Sequence, residues 1–249
     1  MSSVRVALRV LEDVAFHQPV GVSEVARRLG LSKTTTQRAL AILHDADWIE
    51  PAEEARTAWA LSIRALVVGG HAVDSRRGLR SIAVPVMEEL RRRTEETVHL
   101  FVRSHDRVVL VERLDGIKPV RVFNPLGGYA LLHRTSSGKA VMAHLKPDEL
   151  AAYLARPMTT GSTHAPIDPD DLRRELDMVR AWGFAVNLAQ NQPDVSAVGA
   201  PIFDEQDNAI GAITISAPPE RLVEAACMDL GPVVSDAARR ITLGMRLRR

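Results

Sequence analysis

Apolar positions near the start of the chain recur at helical spacing. Val4, Leu8, Leu11 and Ala15 keep a 3.6-residue period, which predicts an amphipathic helix over Val4–Phe16. Pro19 and Gly21 interrupt it. A short helix follows over Val22–Leu29, with Val25, Ala26 and Leu29 inward and Gly30 placed to end it in a left-handed backbone. Ser32 offers a hydroxyl cap to a third helix, Lys33–Ala46. Its inner stripe is Thr36, Ala39, Leu40 and Leu43, so Lys33, Thr34, Gln37 and Arg38 point outward on adjacent turns. Trp48–Glu50 and Ala58–Leu61 read as short strands around a polar loop, Ala52–Thr57. Three helices followed by a hairpin form a winged helix-turn-helix pattern, whose third helix is shaped to enter a major groove.

Beyond this point the pattern changes. Ile63–Ala83 is arginine-rich and helical, weakened in the middle by Gly69-Gly70, and reads as a linker. A fresh amphipathic helix over Ile82–Thr94, with Pro85 in its first turn, opens a second domain. Strands are predicted at Val98–Val102, Val108–Leu114, Val120–Phe123, Phe184–Val186, Val198–Phe203 and Ile210–Ser216. Helices are predicted at Ser137–His144, Asp148–Leu154, Pro169–Trp182 and Pro219–Leu247. Strands and helices mixed without strict alternation predict an α+β fold with a largely antiparallel sheet. The expected domains are 1–64 (winged helix), 65–80 (linker helix) and 81–249.

Composition narrows the class. A chain of 249 residues fits one large domain or two small ones, and 46% hydrophobic with 25% charged residues excludes wholesale disorder. The single cysteine, Cys227, excludes an intrachain disulfide or a zinc cluster of cysteines and favours a reducing compartment. No apolar run approaches the ~20 residues of a membrane span, and Arg5, Arg9 and Glu12 break any signal-peptide core. A soluble cytoplasmic protein without membrane attachment is expected. The net charge of +1 excludes a wholly basic coat, but Val25–His44 carries Arg27, Arg28, Lys33 and Arg38 and no acid.

Four blocks carry a family resemblance: SEVARRLGLSKTTTQRALAIL (Ser23–Leu43), LHRTSSGKAVMAHL (Leu132–Leu145), WGFAVN (Trp182–Asn187) and VGAPIFDEQDNAIGAITISAP (Val198–Pro218). In order and spacing the chain resembles the IclR family of bacterial transcriptional regulators over nearly its whole length. The resemblance implies a winged helix-turn-helix DNA-binding domain, a linker helix and a GAF-like effector-binding domain for a small organic metabolite. It also implies a homodimer or homotetramer that acts as repressor or activator. No cofactor and no metal are called for.

Base readout needs donors and acceptors that reach base edges, while phosphate contacts set the register. Gln37 and Arg38 are candidates for base edges of a double-stranded DNA operator. Ser32, Thr34 and Thr35 sit where a helix N-terminus meets phosphate, Lys33 adds a point charge there, and Arg56 is the candidate wing contact. Asp47 stands where the family commonly ends this helix with glycine, so a changed entry to the first strand is expected.

In the second domain, Thr135, Ser136, Ser137 and Gly138 precede an apolar helix. There the small residues expose first-turn amides and the helix dipole favours an anion. Thr214 and Ser216 alternate on one strand and face the same way. The resemblance places Thr135 to Gly138 together with Asn187, Val195, Ala197, Thr214 and Ser216 around the effector. A small carboxylate is the expected ligand. Asn187 and Ala197 replace an acid and a cysteine common in the family, and Asn187–Gln192 holds no carboxylate, so an aromatic or longer-chain acid fits as well as a two- or three-carbon one.

Enzyme chemistry is weakly represented. Ser136-Ser137-Gly138-Lys139 resembles part of a phosphate loop, but His133 stands at the required glycine and Ala140 at the required hydroxyl. No G-x-S-x-G elbow occurs, and the eight histidines show no H-x-x-x-H spacing. His133 lies two residues before Thr135 and within reach of a hydroxyl, but it reads as a satisfied structural histidine. The alternatives are a winged helix fused to a small hydrolase-like domain and a winged helix that contacts only proteins.

Overall fold

The structure is a computed structural model that describes residues 2–53, 55–75 and 78–247; the side chains of residues 56 and 70–75 are outside the description. It comprises two compact units, residues 1–77 and 78–249.

The first unit runs α1 (Ser3–His17), β1 (Val20–Gly21), α2 (Val22–Leu29), α3 (Lys33–Asp45), β2 (Ile49–Ala52), β3 (Ala55–Leu61) and α4 (Ile63–Ser75). The caps follow from side-chain chemistry. Gly30 closes α2 at φ +64°, and Ser32 Oγ accepts from the Thr35 amide at 3.1 Å to open α3. The buried residues of α3 are Thr36, Ala39, Leu40 and Leu43, the stripe its periodicity predicts. They pack on Val6, Val10 and Val14 of α1, Val25 of α2 and Ile49 of β2. This is a winged helix-turn-helix.

Three details differ from the sequence reading. The wing is tighter than the predicted loop 52–57, because β2 continues through Pro51 and Ala52 and β3 begins at Ala55. Proline is admitted there because β2 is an edge strand of the β1-β3-β2 sheet, with a register shift at Pro51/Ala52. The short strand β1 pairs with Ala58 and Trp59. The entry to β2 is not displaced: Asp47 adopts the left-handed conformation at φ +59° that glycine would have taken. The amides of Asp47 and Trp48 then return to the His44 and Leu43 carbonyls, both at 2.9 Å, which closes α3 in the usual way.

The second unit is built on a six-stranded antiparallel sheet of order β6-β5-β4-β9-β8-β7. Its strands are β4 (Thr97–Ser104), β5 (Arg107–Leu114), β6 (Tyr129–Leu131), β7 (Ala185–Leu188), β8 (Ser196–Phe203) and β9 (Ala209–Ala217). Its helices are α5 (Leu79–Thr94), α6 (Ser136–Met142), α7 (Pro147–Leu154), α8 (Pro169–Trp182) and α9 (Glu224–Leu247). Period-two alternation gives the sheet two unlike faces. Val98, Leu100, Val102, Val198, Ala200, Ile202, Ile213 and Ile215 pack against α5 and α9. The opposite face carries His99, Phe101, Ala197, Gly199, Thr214 and Ser216, and α6 lies over it.

Three predicted boundaries shift in this unit. Val120–Phe123 is not a strand: β6 takes the free edge of β5 instead, and the Val122 carbonyl accepts from Thr97 Oγ1 at 3.2 Å. The terminal helix starts at Glu224 rather than Pro219. The opening helix starts at Leu79, because Leu79 and Ala83 reach the core, so Pro85 lies inside the helix and not in its first turn. Pro85 is exposed and has no backbone N–H to contribute to the helix ladder. An alanine there supplies an N–H and a better helix former, against a small gain in unfolded-chain entropy. Pro85→Ala is therefore expected to stabilise the second unit by about 1–2 kcal/mol, seen as a higher urea midpoint. A lower midpoint would mean that the bend is needed for packing.

Candidate functional site

Each unit carries one candidate surface. On α3, Lys33, Thr34, Gln37 and Arg38 are exposed with no intramolecular partner among the described residues, as the outward stripe requires. Ser32 and Thr35 are also exposed, but their hydroxyls share a hydrogen bond at 2.8 Å and so help to close the helix cap. Thr36 faces inward and donates to the Ser32 carbonyl at 3.0 Å. The basic window is smaller than its composition implies. Arg28 forms a two-pronged ion pair with the buried Asp13 carboxylate, at 2.8 and 2.7 Å, leaving Arg27, Lys33 and Arg38 as the outward cations. The Arg56 side chain lies outside the described residues.

In the second unit a cavity of about 240 Å³ lies between α6 and the polar face of the sheet. Thr135, Ser136 and Ser137 line it from the start of α6, Asn187, Val195 and Ala197 from the β7–β8 side, and Thr214 and Ser216 from β9. The sequence reading thus named eight residues that converge. Gly138 is not a wall. Its role is close approach, since a Cβ there would lie 2.1 Å from the Leu132 carbonyl oxygen. Gly199 serves likewise: a Cβ would meet Thr214 Cγ2 at 2.6 Å and both Ser136 Oγ and the Ser137 amide at 3.3 Å.

Walls that sequence reading missed come from Phe101 and Leu110 on the sheet and from the 124–130 segment, notably Pro125 and Tyr129. Asn191 and Gln192 complete the rim. Asn191 and Gln192 were legible only as an acid-free stretch; the 124–130 segment left no local signal. It is tied down by Leu110, whose carbonyl accepts from the Gly127 amide and whose amide donates to the Gly128 carbonyl, both at 2.8 Å.

The electrostatics correct one expectation. α6 has only seven residues, and its Gly138 amide is already satisfied by Thr135 Oγ1 at 3.0 Å. The helix dipole therefore contributes less than the sequence implied, and the cavity's polarity comes from hydroxyls and carboxamides. No charged side chain is among the described lining residues. Asn187 is locked: its Nδ2 donates to the Arg134 carbonyl at 2.7 Å and its Oδ1 accepts from the Gln190 amide at 3.2 Å. Behind α6, Lys139 is almost fully buried against Glu175 and Gln190; burial lowers its pKa and the Glu175 charge opposes that shift. His133 has a partner on each ring nitrogen, and the hydroxyl it meets is that of Tyr153 and not Thr135. Its Nε2 donates to the Thr159 carbonyl at 3.1 Å, so Nδ1 accepts from Tyr153 Oη at 2.8 Å. Among the described residues no group of three or more His, Cys, Asp or Glu could hold a metal ion.

A winged helix-turn-helix joined in one chain to a sheet domain with a ligand-sized cavity defines a sensor-type regulator of transcription. The comparisons make the class specific. The model of the IclR helix-turn-helix domain matches residues 3–53, and that of the bacterial transcriptional regulator IclR C-terminal domain matches residues 71–243. The transcriptional regulator BhcR of Paracoccus denitrificans is 30% identical, over 98% of this chain and 87% of its own length. The transcriptional repressor IclR of Escherichia coli is 28% identical, over 99% and 92%. A crystal structure of an IclR homologue from Microbacterium hydrocarbonoxydans, complexed with 4-hydroxybenzoate, shares the fold with a TM-score of 0.79, at 24% identity over 98% of this chain and 99% of that one. The chain belongs to the IclR family: it is a DNA-binding transcriptional regulator with an effector-binding domain. Its named relatives are regulators and repressors rather than enzymes, and the hydrolase alternative has no support. Among the described residues no helix is long and apolar enough to cross a membrane.

The close approach at Gly138 yields a test. Gly138→Ala must push the start of α6 off Leu132 and is expected to destabilise the second unit by about 1–3 kcal/mol. A denaturation midpoint within error of wild type would show that α6 is not held at this distance.

Proposed function

We propose that this regulator reads an operator through α3 and senses a small organic acid in the cavity over its polar sheet face. Gln37 and Arg38 contact base edges; Ser32, Lys33, Thr34 and Thr35 position the helix on phosphates; Arg56 contacts the backbone or minor groove from the wing. Thr135, Ser136, Ser137, Asn187, Val195, Ala197, Thr214 and Ser216 surround the acid, and Gly138 holds α6 at the distance that leaves room for it. Ligand binding modulates operator affinity, and the protein works in the cytoplasm as a homodimer or homotetramer.

The observation that carries the reading is the cavity of about 240 Å³, lined by hydroxyls and carboxamides on one side and by Phe101, Leu110 and Pro125 on the other, with no acid among its described lining residues to repel a carboxylate. The complex of a structurally similar protein with 4-hydroxybenzoate supports an aromatic acid in particular. Self-association is supported by α4, which exposes Ile63, Leu66 and Val67 on one helical stripe. One recognition helix also buries little surface, so two half-sites read together bind more tightly.

Arg38→Ala is expected to weaken specific operator binding by about 1–3 kcal/mol, the size of one bidentate base contact. Gel shifts at fixed ionic strength measure this, and unchanged affinity would remove Arg38 from the reading face. Wild-type binding should also fall steeply with salt, as phosphate contacts require; salt-independent binding would favour a protein-contact module. In a thermal-shift screen, carboxylates of benzoate size are expected to raise the midpoint of the second unit. Hits confined to neutral compounds would overturn the acid reading.

A further inference from the structure

His99 lies beside the cavity floor, on the same face of the sheet, and is fully buried at the centre of β4, opposite Thr214 of β9 in the sheet register. Its Nδ1 lies 3.1 Å from Ser216 Oγ, and its ring tilts against Phe101, a cavity wall, with 5.7 Å between ring centres. Burial, assisted by the nearby Arg113 charge, holds the imidazole down at about 3, so the ring is neutral and carries one proton. Two polar atoms here have no partner among the described residues: His99 Nε2 and Thr214 Oγ1. Thr214 is itself buried and lines the cavity.

The proton on His99 can sit on either nitrogen, and the surroundings distinguish the two arrangements. On Nε2 it would be a buried N–H with no acceptor, an arrangement folded proteins rarely tolerate. On Nδ1 it donates to Ser216 Oγ and leaves only a bare ring lone pair unmatched. Ser216 Oγ then accepts from His99, and its own proton is free to turn toward the cavity. The Thr214 hydroxyl, on a residue of the same floor, has no partner among the described residues and so holds a second uncommitted proton.

We propose that His99 is a positioning residue for effector recognition: through Nδ1–H it fixes Ser216 as a donor beside Thr214, making the sheet floor a two-donor seat for an acceptor oxygen of the ligand. This deepens the acid reading above and rests on it. Thr135, Ser136 and Ser137 line the cavity from the other side, so the seat suits an acid carrying oxygen at both ends, a hydroxy- or oxo-acid, better than one with a single polar terminus.

Two measurements on the full chain test this. Nitrogen-15 spectra of histidine-labelled protein without ligand, with the His99 signal assigned by its loss in His99→Asn, read the tautomer directly. Nδ1–H is expected; Nε2–H overturns the proposal. Calorimetric titration with 4-hydroxybenzoate as the probe then separates the variants. His99→Leu and Ser216→Ala are each expected to weaken binding about tenfold, the size of one hydrogen bond to a charged acceptor. His99→Asn, whose amide keeps a donor near the Nδ1 position, should stay within about threefold of wild type. Wild-type affinity in a folded His99→Leu protein, or equal losses in His99→Leu and His99→Asn, refutes the positioning role. If no small carboxylate, 4-hydroxybenzoate included, binds the wild-type chain, the acid reading itself fails and takes this inference with it, a pattern distinct from selective failure at His99.

Discussion

The second unit depends on the alternation along β4, β8 and β9, whose two faces bury different chemistry. One set of side chains is aliphatic throughout and clamps α5 and α9 to the sheet. The other set is small or polar, and the start of α6 comes down on it where Gly199 carries no side chain, while Gly138 lets that same turn close on Leu132. A continuous apolar face would have packed α6 without a gap, and a face of large polar groups would have held it off. Thr214 beside Gly199, and Ala197 beside Ser216, give a surface that admits the helix yet leaves a cavity with hydrogen-bonding walls. The site is thus a consequence of the packing pattern and not an addition to it.

The polar side of this arrangement carries a desolvation penalty that the fold offsets locally. Lys139, on the far side of α6, meets Glu175 of α8 and Gln190, and Gln190 in turn is hydrogen-bonded to Asn187 on the cavity wall. A buried ammonium without such partners would be strongly destabilising. The chain of contacts ties the cavity wall to α8 through atoms that are all satisfied, so a ligand that moved Asn187 would disturb a charge pair as well as a wall. Asp13 with Arg28 plays a comparable role in the winged helix, fixing α2 against α1 by a pair whose carboxylate is buried. That cation holds the reading helix's scaffold in place and adds no charge for phosphate.

Local chemistry made much of this legible in the sequence. The extents of α2 and α8 were readable from the sequence, α2 with Gly30 placed to end it, and the stripe of α3 needed only residue spacing. Pro85 misled because context overrode its usual meaning: it lies inside a helix whose first turn is fixed by burial of Leu79. Asp47 looked like an obstacle and takes the left-handed backbone. Eight of the nine residues expected around the effector line one cavity, because helix start and strand alternation place them. The other walls, Phe101, Leu110 and the 124–130 segment, are brought there by strand order, which no short-range pattern encodes. His99 and its unmatched nitrogen were invisible for the same reason, since its partner on β9 is 117 positions away.

The account stands or falls on whether the cavity over the polar face controls DNA binding. The direct measurement is fluorescence anisotropy of an operator fragment selected from random duplexes, at constant ionic strength, while benzoate-sized carboxylates are titrated into wild-type protein and into Ala197→Leu, which fills the cavity. The account predicts that at least one acid shifts the wild-type operator Kd about tenfold, a typical allosteric coupling, and leaves the Ala197→Leu protein unmoved. Identical responses in the two proteins, or none to any acid, would contradict it.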